Sequence, residues 1–391
     1  MIFNKEELHI LSSRNKIDFI KSIEQLEENQ DLPRIKLTLR HKSDKDKKNF
    51  DKLIEVISKD ENEKIGEFAK DKYTNDFIVD FRKKLKELNY QLIDVSSSFA
   101  YIMAVKEENE IEIIKKACTV TVEIFNKYVK DQLTNIIDSE KRIKHTKFSE
   151  TIEKTIEDKK YTKNLDRSLL EMCYTPIVQS GGNYNLKFSA ENHKNNIHFG
   201  TIICGIGTKY KQYCSNIVRT ILISPTDEQQ KIYEFLLDVE EKALEKLFDG
   251  ARICDVYNFV INFVYQKDES LVDKLTKNLG FAIGIEFREG NLNIINFFIH
   301  LKINFYNLNL SIKGSLLITP ENKSRLKKGM VFNLAIGFSP LKNKQSTDRN
   351  SSQYALFISD TVLINDSYTP AELLTYSAEK KLKNIALFLK R

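Results

Sequence analysis

The apolar positions of the chain change period twice. From residues 8 to 88, short runs of alternating or continuous apolar character, LHILSS (8–13) and IKLTLRH (35–41), are interleaved with helical patterns. The helical stretches are KIDFIKSIEQL (16–26), FDKLIEVISK (50–59) and FIVDFRKKLKEL (77–88). Strands separated by amphipathic helices predict an α/β lobe. Beyond residue 105 the pattern lengthens. Glu107, Glu108 and Glu110 precede an apolar series at Ile111, Ile114, Cys118, Val122, Phe125 and Val129, which predicts a long helix with acids at the positive end of its dipole. A second helix starts at Thr226 with Gln229 three residues on, carries Ile232, Phe235, Leu236, Val239 and Leu247, and stops at Gly250. Strong alternation over Tyr174–Ser189, His198–Ile223, Gly329–Phe338 and Tyr354–Ile364 predicts a curved antiparallel sheet with one buried face.

With 391 residues and 41% hydrophobic content, the chain has material for two cores. The expected domains are residues 1–104 and 105–391, the second interrupted at 291–314 by a stretch of Asn, Ile, Phe, Leu, Lys and Tyr. These are residues of AT-rich codons, so this insert is read as a translated intron or a lineage-specific loop. It would have no reserved place in the sheet and would form an exposed apolar excursion. A net charge of +6 raises the possibility of nucleic-acid contact, but lysines alternate with acids almost everywhere and a solvated surface is the simpler reading. The most basic run, residues 40–52, is read as a flexible connection between two strands. Five cysteines form no CxxC pair and read as reduced thiols, with no zinc site. The greasiest stretch, INFFIHLKINF (295–305), is interrupted by His300, Lys302 and Asn304, and no membrane span is expected. There is no phosphate loop, and Cys214 has no histidine assigned to it as a base.

Three segments carry more specific information. CGIGTKYKQYCSNIVRT (204–220) resembles the paired-strand signature of the pita-bread metallopeptidases, Asp-x-Gly, Tyr, then Asp-x-x-Arg-Thr. GFAIGIEFREG (280–290) is similar to their Gly-His-Gly-Ile-Gly run. GMVFNLAIGF (329–338) and YALFISDTVLI (354–364) are similar to the strands that carry two glutamates. On this likeness the five metal-ligand positions hold Gly205, Asn216, Phe281, Ala335 and Ser359, and none of these can grip a hard divalent cation.

Further segments, QSGGNYNLKFS (179–189), HFGTI (198–202), ICDVYN (253–258), KNLGFAIGIEFREG (277–290) and KKLKNIALFLK (380–390), resemble the N-terminal domain of the large subunit of the FACT histone chaperone. The resemblance implies an α+β chain: a pita-bread, creatinase/aminopeptidase-like C-lobe preceded by a smaller α/β N-lobe whose start is truncated. An unpaired sheet edge would then be left exposed. It further implies a catalytically dead module without cofactor or metal, located in the nucleus on the chromosome. Such a module binds histones H3–H4 and nucleosomes during transcription elongation, replication and repair. A small HMG-type or Pob-type subunit would be engaged through domains absent from this chain, DNA would be bound weakly at most, and no membrane would be involved. His198, Phe281 and Arg288 are the candidate peptide-groove residues. Arg288, beside Glu289 at the groove rim, could bind a carboxylate or a backbone carbonyl, but a structural salt bridge is the preferred reading. The rival readings are a residual metallo-aminopeptidase with substitute ligands and a weak DNA-binding module.

Overall fold

The structure, a computed structural model, describes residues 1–4, 6–28, 33–58, 64–68, 75–88, 90–289, 298–299 and 316–388. It divides into two compact units, Met1–Phe99 with Asn291–Gly314, and Ala100–Gly290 with Ser315–Arg391.

The first unit is an α/β lobe. Its strands are β1 (Ile2–Phe3), β2 (Glu7–Ser12), β3 (Arg34–Leu39), β4 (Lys64–Glu67) and β5 (Gln91–Asp94), and its helices α1 (Arg14–Ile20), α2 (Lys47–Ser58) and α3 (Asp76–Glu87). The apolar spacing of α2 and α3 buries Phe50, Ile57, Phe81 and Leu85 in one cluster with Ile2 and Ile65. The Asn75 side chain caps α3 by accepting from the Ile78 amide at 3.0 Å. The basic run 40–52 is not a flexible link between strands, because it turns directly into α2. Buried Asp46 holds that turn, accepting from the His41 amide at 2.7 Å, Arg40 Nε at 2.9 Å and Asn49 Nδ2 at 3.1 Å.

The first strand of the lobe is not an edge, and the edges of its sheet are β3 and β5. The sheet order is β3-β2-β1-β13-β4-β5, where β13 (Phe298–Ile299) comes from the insert. It runs parallel to Ile2–Phe3 and antiparallel to Gly66–Glu67, so at these two residues the insert does have a place in a sheet. The remainder of 291–314, with the excursion expected for it, lies outside the described residues.

Helix α4 (Ser96–Ala104) carries the chain across the boundary between the units. The second unit then opens with α5 (Glu108–Ile124), whose capping box is Glu107 and Glu110, followed by α6 (Lys130–Asp138) and α7 (His145–Glu153). Next come β6 (Leu170–Met172), β7 (Ile177–Gln179), β8 (Thr201–Ile206), β9 (Thr208–Tyr210), β10 (Tyr213–Cys214) and β11 (Ile217–Ile223). Helix α8 (Asp227–Lys246) has the Thr226–Gln229 capping box and ends four residues ahead of Gly250. It is followed by α9 (Ile253–Lys267), β12 (Gly280–Ala282), β14 (Val331–Lys342), β15 (Gln353–Leu363), β16 (Glu372–Leu373), α10 (Leu382–Ile385) and β17 (Ala386–Leu387).

The main sheet runs β12-β14-β15-β11-β8-β7, with β16 on β15 and β17 on β11. Helices α5 to α7 bury their apolar stripes against one face of it, around Val120, Phe125, Phe148, Ile202 and Ile221. One expected strand fails. Of Tyr174–Ser189 only Ile177–Gln179 pairs, because Gly181 and Gly182 take φ of +80° and +84° and turn the chain out of the sheet.

Candidate functional site

The register of the main sheet gathers the five candidate ligand positions. Gly205 of β8 lies opposite Val218 of β11, Val218 lies opposite Ser359 of β15, and Ser359 lies opposite Ala335 of β14. Phe281 of β12 pairs with Asn333 of β14, and Asn216 immediately precedes β11. The cradle that the motifs predict is therefore assembled.

Its contents are neutral. Asn216 is fully buried and its Nδ2 donates to Asn333 Oδ1 at 2.9 Å and to Ser359 Oγ at 3.2 Å. Ser359 Oγ donates to the same Asn333 oxygen at 2.5 Å, and the Tyr174 hydroxyl donates to Asn216 Oδ1. Burial holds the Tyr174 hydroxyl well above the ordinary phenol range, so it stays a donor. The Asn216 backbone is tied in both directions to the Thr361 hydroxyl, at 2.9 and 3.0 Å. Two amides and two hydroxyls bond to one another here, and of their buried polar atoms Asn333 Nδ2 is left without a partner among the described residues.

The rest of the cradle is filled by rings. Having left the sheet, the chain presents Tyr184, Leu186 and Phe188 to the face formed by Ile203, Val218, Ala335, Ala355 and Phe357. The alternating pattern of this stretch is real, but it serves packing onto a sheet face rather than a place in the sheet. Phe188 is central, with ring centroids 5.5 Å from Phe281, 5.4 Å from Phe287 and 5.8 Å from Phe357. Leu186 comes so close to β14 that a Cβ on Gly337 would lie 2.9 Å from its Cδ1.

Of the three groove candidates, Phe281 is 1% exposed within this aromatic group. Arg288 places its guanidinium 4.6 Å from the Phe281 ring centroid, a cation–π contact, and burial draws its pKa down. A structural salt bridge at this rim exists, but it belongs to Glu289, which accepts from Lys106 Nζ at 2.8 Å in a buried pair. Burial raises the Glu289 pKa and Lys106 opposes that rise. His198 lies apart from the cradle. Its Nε2 pairs with Asp348 Oδ2 at 2.6 Å and its amide donates to Ser180 Oγ at 2.8 Å, the same hydroxyl that meets His145 Nε2 at 2.7 Å.

Behind the cradle lies a buried ionic group. Arg219, with no exposed surface, donates to the Val218 and Ser359 carbonyls at 2.8 Å each, to the Ala378 carbonyl at 3.0 Å and to Asp360 Oδ1 at 2.7 Å. Lys380 bridges Asp360 at 2.9 Å and Glu240 at 2.6 Å. Burial alone would raise the Asp360 pKa, but Arg219 and Lys380 hold it far below the usual carboxylate range, whereas burial pushes Glu240 up to about 7. Two of the three donors of Lys380 and four of the five of Arg219 are thus directed at structural partners.

Among the described residues no group of three or more His, Cys, Asp or Glu is placed to hold a metal ion. Cys118 and Cys204 are buried thiols pushed up to about 12 by burial, far from the thiolate that a nucleophile requires. Tyr174, Phe188, Phe287 and Asn333 are not evident from motif matching. The Tyr184, Leu186, Phe188 alternation is the signal that points to part of this group.

Comparison with known proteins agrees with this geometry. A model of the metallopeptidase family M24 matches residues 112–366, and one of the FACT complex subunit SPT16 N-terminal lobe domain matches residues 1–98. FACT complex subunit spt-16 of Caenorhabditis briggsae is 33% identical over 98% of this chain, which spans 35% of that protein. The chain therefore covers about a third of the curated relatives it matches. The solved N-terminal domain of FACT complex subunit SPT16 from Cicer arietinum superposes with a TM-score of 0.84 at 30% identity, covering 98% of this chain and 85% of that one. The X-Pro aminopeptidase from Thermotoga maritima gives a TM-score of 0.63 at 16% identity, covering 97% of this chain and 87% of that one, a likeness of fold alone.

Proposed function

The chain belongs to the family of FACT complex subunit SPT16 N-terminal domains, its larger unit having the pita-bread M24 fold, and on that premise we propose that it is a non-catalytic module that binds histones H3–H4 and nucleosomes. The observation that carries the non-catalytic half is the neutral, hydrogen-bonded content of the cradle. Asn216, Asn333 and Ser359 hydrogen-bond to one another, with Asn333 Nδ2 left over as a buried donor, and the Phe188 and Phe281 rings pack 5.5 Å apart in the same cradle. All five ligand positions of the M24 peptidases are lost in this reading. On this reading the residues at the ligand positions supply no carboxylate or imidazole to hold the metal-bound hydroxide on which this kind of hydrolysis depends.

The histone-binding half rests on family membership. The module acts in the nucleus, on chromosomes, within a complex that reorganises nucleosomes in transcription elongation, replication and repair. Its small HMG-type or Pob-type partner is engaged through parts of the subunit outside this chain. The net charge of +6 is unfavourable for a basic partner, so the affinity of this piece alone is modest and depends on local shape and hydrogen bonding.

A pull-down of purified chain with free H3–H4 and with bare duplex DNA, at low and moderate salt, tests the reading. Retention of H3–H4 at both salts with DNA lost at the higher one is expected. Retention of DNA alone would remove the histone assignment.

A further inference from the structure

Five of the six prolines of the chain follow a serine or threonine, at Thr175, Ser224, Thr319, Ser339 and Thr369. A Ser/Thr-Pro pair is what proline-directed protein kinases read, since proline has no N–H to leave unpaired and holds the residue before it extended. The pair by itself is common, so the fold decides which of the five a kinase can reach.

Four are tied into the framework of the second unit. Pro176 and Pro225 are buried, and Ser339 is half-buried within β14. Thr319 follows Ile318, which is 0% exposed and bonded on both sides, its carbonyl accepting from the Leu279 amide at 3.0 Å and its amide donating to the Gly280 carbonyl at 2.9 Å.

The fifth is free of such ties. Every residue from Asp366 to Pro370, in the turn between β15 and β16, is exposed. The Thr369 hydroxyl has no hydrogen-bond partner among the described residues. The turn is closed by Asn365 Nδ2 on the Pro370 carbonyl at 2.9 Å and anchored by Ser367 Oγ on Asp249 Oδ2 at 3.2 Å, both exposed bonds. Tyr368 holds a left-handed φ of +64°, which extension of the loop in a kinase cleft would relieve.

A counter-charge for the product is also in place. Lys328 Nζ donates to Asp366 Oδ2 at 3.0 Å in an exposed pair, and the Lys328 amide donates to Asp249 Oδ1 at 3.0 Å. Arg325 reaches the Gly250 carbonyl at 2.7 Å. The segment carrying Arg325, Lys327 and Lys328 is therefore bonded to the same 249–250 turn that receives Ser367. A phosphate of about −1.5 to −2 charge competes well against one exposed carboxylate for such a lysine.

We propose that Thr369 is a phosphorylation site for a proline-directed protein kinase, and that Lys328 exchanges Asp366 for the new phosphate. The Thr369 hydroxyl oxygen attacks the γ-phosphorus of ATP, the new O–P bond forming as the bridging bond to the β-phosphate breaks. The hydroxyl proton passes to the carboxylate base of the kinase and ADP leaves. The modification subtracts about two charges from the net +6 of the chain, which weakens contact with DNA and favours basic partners. The site does not depend on the histone reading.

The test treats the intact chain with a purified mitogen-activated protein kinase and Mg-ATP, and follows phosphate at each of the five motifs by mass spectrometry. Short blocked peptides carrying each motif are treated in parallel. The rate in the folded chain divided by the rate in the peptide is expected to be near one for Thr369 and at least about a hundredfold lower at the other four, which need wider opening of the fold. Thr369→Ser should keep the reaction, and Pro370→Ala should slow it at least about tenfold, a loss of one anchoring contact. In 31P NMR the phosphate of the modified chain should titrate at lower pH than in the modified Lys328→Met variant. A ratio for Thr369 as low as those of the tied sites, no phosphate on its peptide, an unchanged rate in Pro370→Ala, or the same 31P midpoint with and without Lys328 would overturn the proposal.

Discussion

Restoring one acid to the cradle makes the sharpest mutational test. In Asn216→Asp the buried Nδ2 that donates to Asn333 Oδ1 at 2.9 Å and to Ser359 Oγ at 3.2 Å is replaced by an oxygen. An acceptor then faces an acceptor, and the enclosed carboxylate has the neutral Tyr174, Asn333 and Ser359 as its side-chain neighbours. Such a group stays neutral by raising its pKa, commonly by 3–5 units when fully buried. Each unit costs about 1.36 kcal/mol against an ordinary Asp pKa of about 3.9, so the penalty is about 4 kcal/mol near pH 7 and about 1.5 kcal/mol near pH 5. The bond retained from the Tyr174 hydroxyl makes these upper figures. In the protonated form the new O–H can donate to Asn333 Oδ1, which is why the loss shrinks in acid. Urea unfolding of wild type and variant at both pH values, with and without millimolar Mn2+, reads the effect. A loss of stability equal at the two pH values, or a variant restabilised by Mn2+, would refute the reasoning.

The remaining predictions concern the supports of the cradle. Arg219→Met removes one of the two cationic partners of a fully buried carboxylate and four hydrogen bonds, and should cost about 3–5 kcal/mol in chemical denaturation; a loss below 1 kcal/mol would contradict the assigned role. Phe188→Ala empties the centre of the aromatic group and should cost about 3–5 kcal/mol, with uptake of a small apolar probe such as benzene detectable by ligand-observed NMR. Glu240, whose folded pKa is raised to about 7, contributes stability that is complete below the unfolded value near 4.5 and disappears as pH rises through 7. Glu240→Gln should therefore flatten the decline in stability of the wild type between about pH 5 and pH 8, and an unchanged slope would rule this group out as its source.

Much of the second unit could be read from local pattern, because the relevant information is local. The capping pairs Glu107–Glu110 and Thr226–Gln229 lie three residues apart, and β14 and β15 are legible from their apolar residues, although the structure buries both faces of this central hairpin rather than the one that was expected. The M24 fold was legible because Gly207, Tyr213, Arg219 and Thr220 keep the spacing of the paired-strand signature. Features that join remote residues were not. Lys106 meets Glu289 across 183 positions and Asn216 meets Asn333 across 117, pairings that no periodicity encodes. The 184–188 stretch misled for a different reason: a chain lying on a sheet face needs the same alternation as a strand within it, and only the two glycines at φ of +80° and +84° distinguish the cases. Arg288 was read beside its acidic neighbour, whereas the Phe281 ring, seven residues back, takes its guanidinium.

The central claim is that the metallopeptidase cradle persists while its interior cannot hold a cation. Calorimetric titration of the purified, chelator-stripped chain with Mn2+ and Co2+, followed by assay of the same samples on short peptides, tests it most directly. No saturable heat up to millimolar metal and no hydrolysis are predicted. Stoichiometric uptake of two ions per chain, accompanied by metal-dependent turnover, would contradict the account.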